Sequence, residues 1–179
     1  MKKIARPHNS EHAMYYETYI ACVHADISVL TQLKTNAKQL SALFLSLDEC
    51  TLTTPYEAGK WSLKDLLMHL IDSERVFLYR AMRFARLDKT PLPFFDENEF
   101  ARNAQADKIS TKRLLKEYAA NRNATLQFFN NLQTTQLKHA GIASNFPMSV
   151  RACAWIICGH EIHHTRVIYE RYLKKQPNV

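Results

Sequence analysis

A chain of 179 residues with 46% hydrophobic content has the length of one domain and enough apolar surface for a single core, which excludes a disordered chain. Glycine occurs only 3 times, far below the ~7% of an average protein, which argues against Rossmann turns, P-loops and hairpin-rich β folds and leaves a mostly helical protein. Lys+Arg 24 against Asp+Glu 17 gives a net charge of +7, but the signs alternate and no basic run exceeds two residues, so the excess reads as a solvated surface and nucleic acid is not expected as a partner.

Residues 1–25 form a lead-in to a domain expected over 26–179. Within it Met14 to Cys22 is apolar and aromatic, and reads as a short extra helix or an extended strap; it is also the candidate contact for a homodimer. The N-terminus MKKIARPHNSEH lacks the apolar stretch of a secretory signal, and no run approaches the ~20 apolar residues of a membrane span. No membrane partner is therefore expected. The four cysteines show no CxxC spacing, and a reducing cytoplasm is the expected compartment.

Four longer helices follow by period. In the first, Leu30, Leu33, Ala37, Leu40, Phe44 and Leu47 form one apolar stripe, with Asp26 as the expected N-cap. The second begins at Ser62, where Asp65 completes a capping box and Trp61 and Leu66 can staple across it; its apolar face runs from Leu63 to Ala81, and Pro91 and Pro93 mark that it has ended. The third repeats the device with Ser110 as cap and Ile109 and Leu114 as staple, and carries Arg122 as a charge on its inward stripe. The fourth starts near Ser149 and is expected to reach about Lys174; its half VRACAWIICG is apolar almost all round, and so buried on several sides.

Leu87 to Ser110 separates helices two and three, whereas a tight helical hairpin needs only ~2–8 residues. A connector this long spans the ~36 Å of a 24-residue helix. The two helices are therefore expected to run parallel, in an all-α four-helix bundle with one long crossover connection between helices two and three. The crossover contains PLPFFDENEF. Phe94, Phe95 and Phe100 are candidates to line a lid or to pin the loop, and Asp96, Glu97 and Glu99 read as the polar first turn of a short helix.

The chemistry concentrates in GHEIHHTR. On a helix His160 and His164 point the same way and make a two-point clamp for a divalent ion, while His163 lies ~100° round from His164. His69, midway along helix two, completes a three-imidazole set if helices two and four are neighbours. Three protein ligands with open positions describe a reactive centre rather than a closed structural one. The same run also reads as HExxH with Glu161 as a zincin base, but no histidine follows His164 to serve as third ligand, and no strand-like edge is present to hold a peptide.

Taken together, GKWSLKDLLMHLIDSERVFLYRAMRFARLDKTPLPFFDENEF and SVRACAWIICGHEIHHTRVIYERYL make the chain resemble the DinB-like superfamily. The likeness runs from about Tyr19 to Leu173, and is strongest to the subgroup with an RFARxDKTPLPxFDE crossover and a closing GHExHH. Phe94 stands where that subgroup usually has glycine, and Thr165 where it has an apolar residue. The resemblance implies the same bundle with its crossover, and a divalent metal held by His69, His160 and His164. It also implies a metal-dependent enzyme acting on a small-molecule substrate: either a hydrolase using ion-activated water, or an S-transferase working with a low-molecular-weight thiol. A non-catalytic module, in which the ion only ties helices two and four, is the alternative. Zinc and nickel suit three imidazoles, and iron is a further candidate.

Around this set Asp72 and Asp65 flank His69 on its own helix, Asp72 as a candidate to orient the imidazole and Asp65 as a capping residue. Arg122 reads as an anchor for an anionic substrate or thiol cofactor, as a structural partner of Glu74 or Asp72, or as a snorkelling side chain. Glu161 is a candidate general base, although it sits ~100° off the metal face. Catalytic roles for Asp72, Arg122 and Glu161 are thus expectations only.

Overall fold

The protein was analysed as a computed structural model, which describes residues 2–174. Four long helices carry the architecture: α1 Val29–Ser46, α2 Leu63–Ala85, α3 Thr111–Asn131 and α4 Val150–Val167. Short helical segments occupy Glu17–Ile20, Glu49–Thr53 and Glu97–Ala104. None of the described helices is long and apolar enough to cross a membrane.

Side-chain bonds show the directions. Along α2 and α3 the partners advance together: Lys64 Nζ donates to the Ile109 carbonyl, Asn121 Nδ2 to the Ile71 carbonyl, and Arg122 to Glu74. These helices are parallel, as the length of the crossover requires. Between α2 and α4 the partners run in opposite senses, with the Tyr172 hydroxyl on the Trp61 carbonyl and Nε2 of His69 beside Nε2 of His160. The apolar interior forms two clusters, one around Leu30, Phe84 and Ile156 and the other around Phe44, Leu67 and Leu114.

The helix starts follow their sequence signals unevenly. At α2 the Ser62 side chain accepts from the Asp65 backbone N–H and the Asp65 carboxylate accepts from the Ser62 backbone N–H, a complete capping box. Ser149 caps α4 by accepting from the Ala152 N–H. At α1 the capping position is Ser28 and not Asp26, because Ser28 is the last residue with extended backbone before Val29; its side chain makes no capping bond. Ser110 holds the capping position of α3 without a side-chain bond of its own. The fourth helix stops short of Lys174: after Val167 it widens over Ile168–Tyr172, where the Leu173 N–H reaches back five residues to the Ile168 carbonyl.

A small antiparallel hairpin, β1 Ala140–Ala143 and β2 Phe146–Ser149, accompanies the helical bundle. The scarcity of glycine did not preclude it, because its two-residue turn is made by Ser144 and Asn145, both at positive φ (53° and 69°), a conformation that asparagine tolerates better than most residues. Leu92 of the crossover exchanges backbone bonds with Ile142 and Ser144, so the hairpin anchors the start of the long connection. The crossover then forms the expected short helix, with the Asp96 carboxylate accepting from the Asn98 and Glu99 N–H groups.

The lead-in belongs to the core. Ile4, Tyr16, Ile20 and Val23 are buried in the larger cluster, and the Trp155 indole donates to the Ile4 carbonyl. The apolar side of Met14–Cys22 is thereby used within the chain, which removes most of the surface proposed for a dimer contact. Met14 and Tyr15 stay exposed.

Candidate metal centre

His69 projects from the middle of α2, and His160 and His164 project from successive turns of α4. The antiparallel packing of the two helices brings all three side chains together, with His160 Nε2 lying 3.0 Å from His69 Nε2 and 3.1 Å from His164 Nε2. One nitrogen from each ring falls within 4.8 Å of the others. Tetrahedral zinc with Zn–N distances of ~2.0–2.1 Å would set its nitrogens ~3.3 Å apart, so the donor set has the size for such an ion.

The rings cannot satisfy one another. A neutral imidazole nitrogen either donates or accepts, and His160 Nε2 faces two neighbours, so either one hydrogen is shared between two acceptors or two donors compete for one lone pair. A proton is a poor substitute for a metal here. Burial pushes His69 down to about 4 and His164 down to about 3, and it holds His160 well below the ordinary histidine range, with the neighbouring imidazoles adding to the effect for His160 and His164. The three lone pairs are therefore free at neutral pH, which is the state a divalent cation binds.

The rings are packed from several sides. Trp61 lies over His69 with centroids 4.7 Å apart, and Tyr19 meets His160 edge-on at 5.0 Å. The Tyr172 hydroxyl bond to the Trp61 carbonyl fixes the first of these. The second depends on Gly159: a Cβ there would sit 1.9 Å from the Tyr19 carbonyl oxygen, so only glycine lets the lead-in helix lie this close to α4. The Ser73 hydroxyl lies 3.5 Å from His69 Nδ1, at the outer limit of a hydrogen bond.

Beyond the imidazoles a cavity of about 360 Å³ opens towards the crossover and the hairpin. Phe77, Phe94, Phe95 and Ser144 line its far side, Tyr15, Tyr16 and Tyr19 one wall, and Glu97 is the acidic group on it. Phe94 and Phe95 thus face the cavity, whereas Phe100 packs against Phe95 with centroids 5.3 Å apart. A second groove of about 580 Å³ runs between the start of α2 and the crossover helix, and Trp61 lines both spaces.

The remaining sequence candidates lie elsewhere. Asp72 pairs with Arg75 at the surface, so the side chain nearest His69 Nδ1 is Ser73 and not Asp72. Asp65 is a capping residue. Arg122 is buried in the core, donating to both oxygens of Glu74, to Glu161 and to the Leu33 carbonyl; of the two expected partners it takes Glu74, while Asp72 pairs with Arg75 instead. Glu161 accepts from Arg122 and from the Tyr118 hydroxyl at 2.7 Å. Burial pushes its carboxyl up against the pull of Arg122. Both groups adjoin a void of about 10 Å³ that reaches His160, and neither of them lines the cavity. Sequence reading missed Ser73, Trp61 as a wall of the site, and Tyr19. Ser73 follows His69 by one helical turn and was accessible from that spacing, but the other two depend on tertiary packing.

Comparison with known proteins bears on the fold and the family. The family model of the DinB superfamily matches residues 32–168. The chain is 26% identical over 138 residues to a protein of Oceanobacillus iheyensis named "Putative metal-dependent hydrolase OB0413", covering 75% of this chain and 78% of that one. Its fold resembles YfiT from Bacillus subtilis, described as a probable metal-dependent hydrolase with an unusual four-helix bundle topology (TM-score 0.68, 17% identity, 95% of this chain and 93% of that chain). It also resembles the mycothiol-dependent maleylpyruvate isomerase, of which it spans 61% (TM-score 0.63, 14% identity, 83% of this chain). With the family model covering most of its length, the chain belongs to the DinB superfamily.

Proposed function

We propose that the protein is a metal-dependent enzyme in which His69, His160 and His164 hold one divalent ion and the adjoining cavity receives a small-molecule substrate. The observation that carries this reading is the convergence of three neutral imidazoles, His69 and His160 buried and His164 half-buried, on a cavity large enough for a substrate. A divalent ion with three neutral ligands keeps its full positive charge, and supplies Lewis acidity and a lowered pKa for water or a thiol at its open positions.

The chain's own residues do the rest. Trp61 and Tyr19 hold the rings in place and keep bulk water off two sides of the ligand set. Phe77, Phe94 and Phe95 give the substrate an apolar surround. Hydrolysis is supported by the names of two relatives, the Oceanobacillus protein and YfiT. A second reading, transfer to or from a small external thiol, is supported by the larger groove on the other side of Trp61, which has room for a bulky cofactor. The thiol would have to come from outside. Cys153 and Cys158 are buried away from the cavity, and burial pushes the Cys153 thiol up to about 12.

Elemental analysis of protein purified without chelator or histidine tag tests the centre. One equivalent of zinc, nickel or iron per chain is expected, and its loss in His164→Ala. No bound metal, even after each ion is added back, would overturn the proposal.

A further inference from the structure

Apart from the three imidazoles, two serines and Glu97, every residue lining the cavity is aromatic. Along one wall the rings follow one another outwards from the histidines. Tyr19 meets His160 with centroids 5.0 Å apart, Tyr16 meets Tyr19 at 6.5 Å, and Tyr15 meets Tyr16 at 4.0 Å. Phe146 of the hairpin continues the series, edge-on to Tyr15 at 6.3 Å. Exposure rises along it: Tyr16 is 6% exposed, Tyr15 51% and Phe146 47%. Phe94, on the crossover side of the same cavity, is 75% exposed. An apolar residue exposed singly needs no explanation, but rings gathered where a cavity opens mark a place that receives something apolar.

The charges narrow what that is. The chain carries +7 overall, yet among the described residues no lysine or arginine lines the cavity. Arg80 touches the rings of Phe77 and Phe95 from outside it, and its Nη2 is taken up by the Pro93 carbonyl and the Ser144 hydroxyl. Glu97 is the one charged side chain on the wall. The other acids of its helical turn have partners, Asp96 as the cap and Glu99 with Arg102, whereas Glu97 belongs to none of the ion pairs among the described residues. Its charge is felt on the opposite wall: burial pushes the Tyr19 phenol up, and Glu97 adds to that push. An anionic group in this passage would meet a carboxylate and no cation. A cationic one would gain little, because Glu97 is exposed and screened by water and a divalent ion nearby would repel it.

We propose that the substrate carries an uncharged aromatic group away from its reacting end, and that Tyr15 and Phe94 hold that group where the cavity opens. The inference rests on the metal centre proposed above. Flat rings stack offset or edge-on against other flat rings at centroid separations of about 4.5–7 Å, the same range as the spacings within the wall, so a further ring extends the series without rearranging it. Tyr15 and Phe94 are thereby specificity-determining residues, and Glu97 turns away the same ring once it bears a carboxylate.

The test uses cobalt-substituted protein, whose visible spectrum reports a ligand arriving at the ion, titrated with hydroxamates bearing a methyl, a phenylethyl or a carboxyphenylethyl group. The phenylethyl compound is expected to bind about tenfold or more tightly than the methyl one. The carboxylated ring should lose about threefold or more of that gain, and Glu97→Gln should restore it. Replacing both exposed rings, Tyr15→Ser with Phe94→Ser, should cut the phenylethyl preference to about threefold or less; if the double variant does not fold, Phe94→Ser alone should still shrink it. Equal binding of the methyl and phenylethyl compounds, a preference unmoved by these substitutions, or a carboxylated ring bound as tightly as the plain one would overturn the proposal. So would a dimer in sedimentation that the double variant dissolves while the preference stays, since the rings would then serve a second copy of the chain. Failure to take up cobalt would sink the metal centre instead. Saturation-transfer NMR with benzyl alcohol on the metal-free protein then still reads the rings: transfer is expected in the wild type and its loss in the double variant, and no transfer overturns the aromatic site.

Discussion

Arg122 joins α3 to α2 through Glu74 and to α4 through Glu161, with Tyr118 donating to the second carboxylate. Two acids share one guanidinium in a fully buried setting, so the pairing contributes mainly by preventing an uncompensated charge. Arg122→Met keeps much of the volume but strands both acids, and should cost about 3–5 kcal/mol in urea unfolding; a loss under about 1 kcal/mol would mean that the acids are accommodated without it. A second ion pair, Glu11 with Arg151, fastens the lead-in to the start of α4. The Arg151 hydrogen bond holds the Glu11 carboxyl down to about 2, against an ordinary value of 4.5. A carboxyl with a lowered folded value stabilises the protein above its ordinary value, and that stability is lost as pH falls from about 4.5 towards about 2. Melting temperature followed over that window should therefore fall less steeply in Glu11→Gln than in the wild type, by a modest margin because the pair is partly solvated. Equal slopes would remove the pair from the acid response.

At the scale of elements, the lead-in helix Glu17–Ile20 decides how well the metal ligands are held. Glycine within a helix normally costs ~1 kcal/mol against alanine, so Gly159→Ala would ordinarily stabilise α4. Here the added Cβ would collide with backbone at the Tyr19 carbonyl, and the sign should reverse: a loss of about 1–3 kcal/mol, with the Tyr19 ring withdrawn from His160 and metal affinity reduced. A Gly159→Ala protein as stable as the wild type would show that the close approach is dispensable. This helix also marks where sequence reading ended. Period, capping box and crossover length were enough for the four long helices and their connection, because each of those signals is local or depends only on chain reach; spacing alone paired His160 with His164, and His69 was added to them only through the resemblance or an assumed packing of the second helix on the fourth. Whether Met14–Cys22 is a helix, and what its apolar side covers, is decided by α4 and Gly159, more than a hundred residues away. The hairpin was hidden for a related reason: its turn uses Ser144 and Asn145 in a conformation usually signalled by glycine. The burial of Arg80 has no local signal either, since nothing within α2 shows that Pro93 and Ser144 close over it.

For the whole molecule the ion would act as a cross-link between α2 and α4, joining residues 91 apart in sequence. It would also supply the positive charge that three inward lone pairs lack. The two apolar clusters extend well to either side of the centre, and neither depends on the histidines for its packing. The metal-free protein should therefore stay folded at 25 °C. Binding to the native state alone raises stability by RT ln(1 + [L]/Kd), about 4.1 kcal/mol at a thousandfold excess over Kd. At about 2–4 °C per kcal/mol for a chain of this size, saturating zinc should raise the melting temperature by roughly 8–16 °C. Chelation should reverse that rise, and His164→Ala should abolish it. His163→Ala should keep it, because that ring packs against Tyr19 and is not one of the three converging donors. The contrast between the two adjacent histidines separates occupancy of this centre from general zinc binding to surface groups. Its failure, with both variants responding alike, would move the ion elsewhere. Outright unfolding by chelator at 25 °C would make the ion a structural tie between the helices, because an open reactive centre in a protein with this much independent core has no need to hold the fold together.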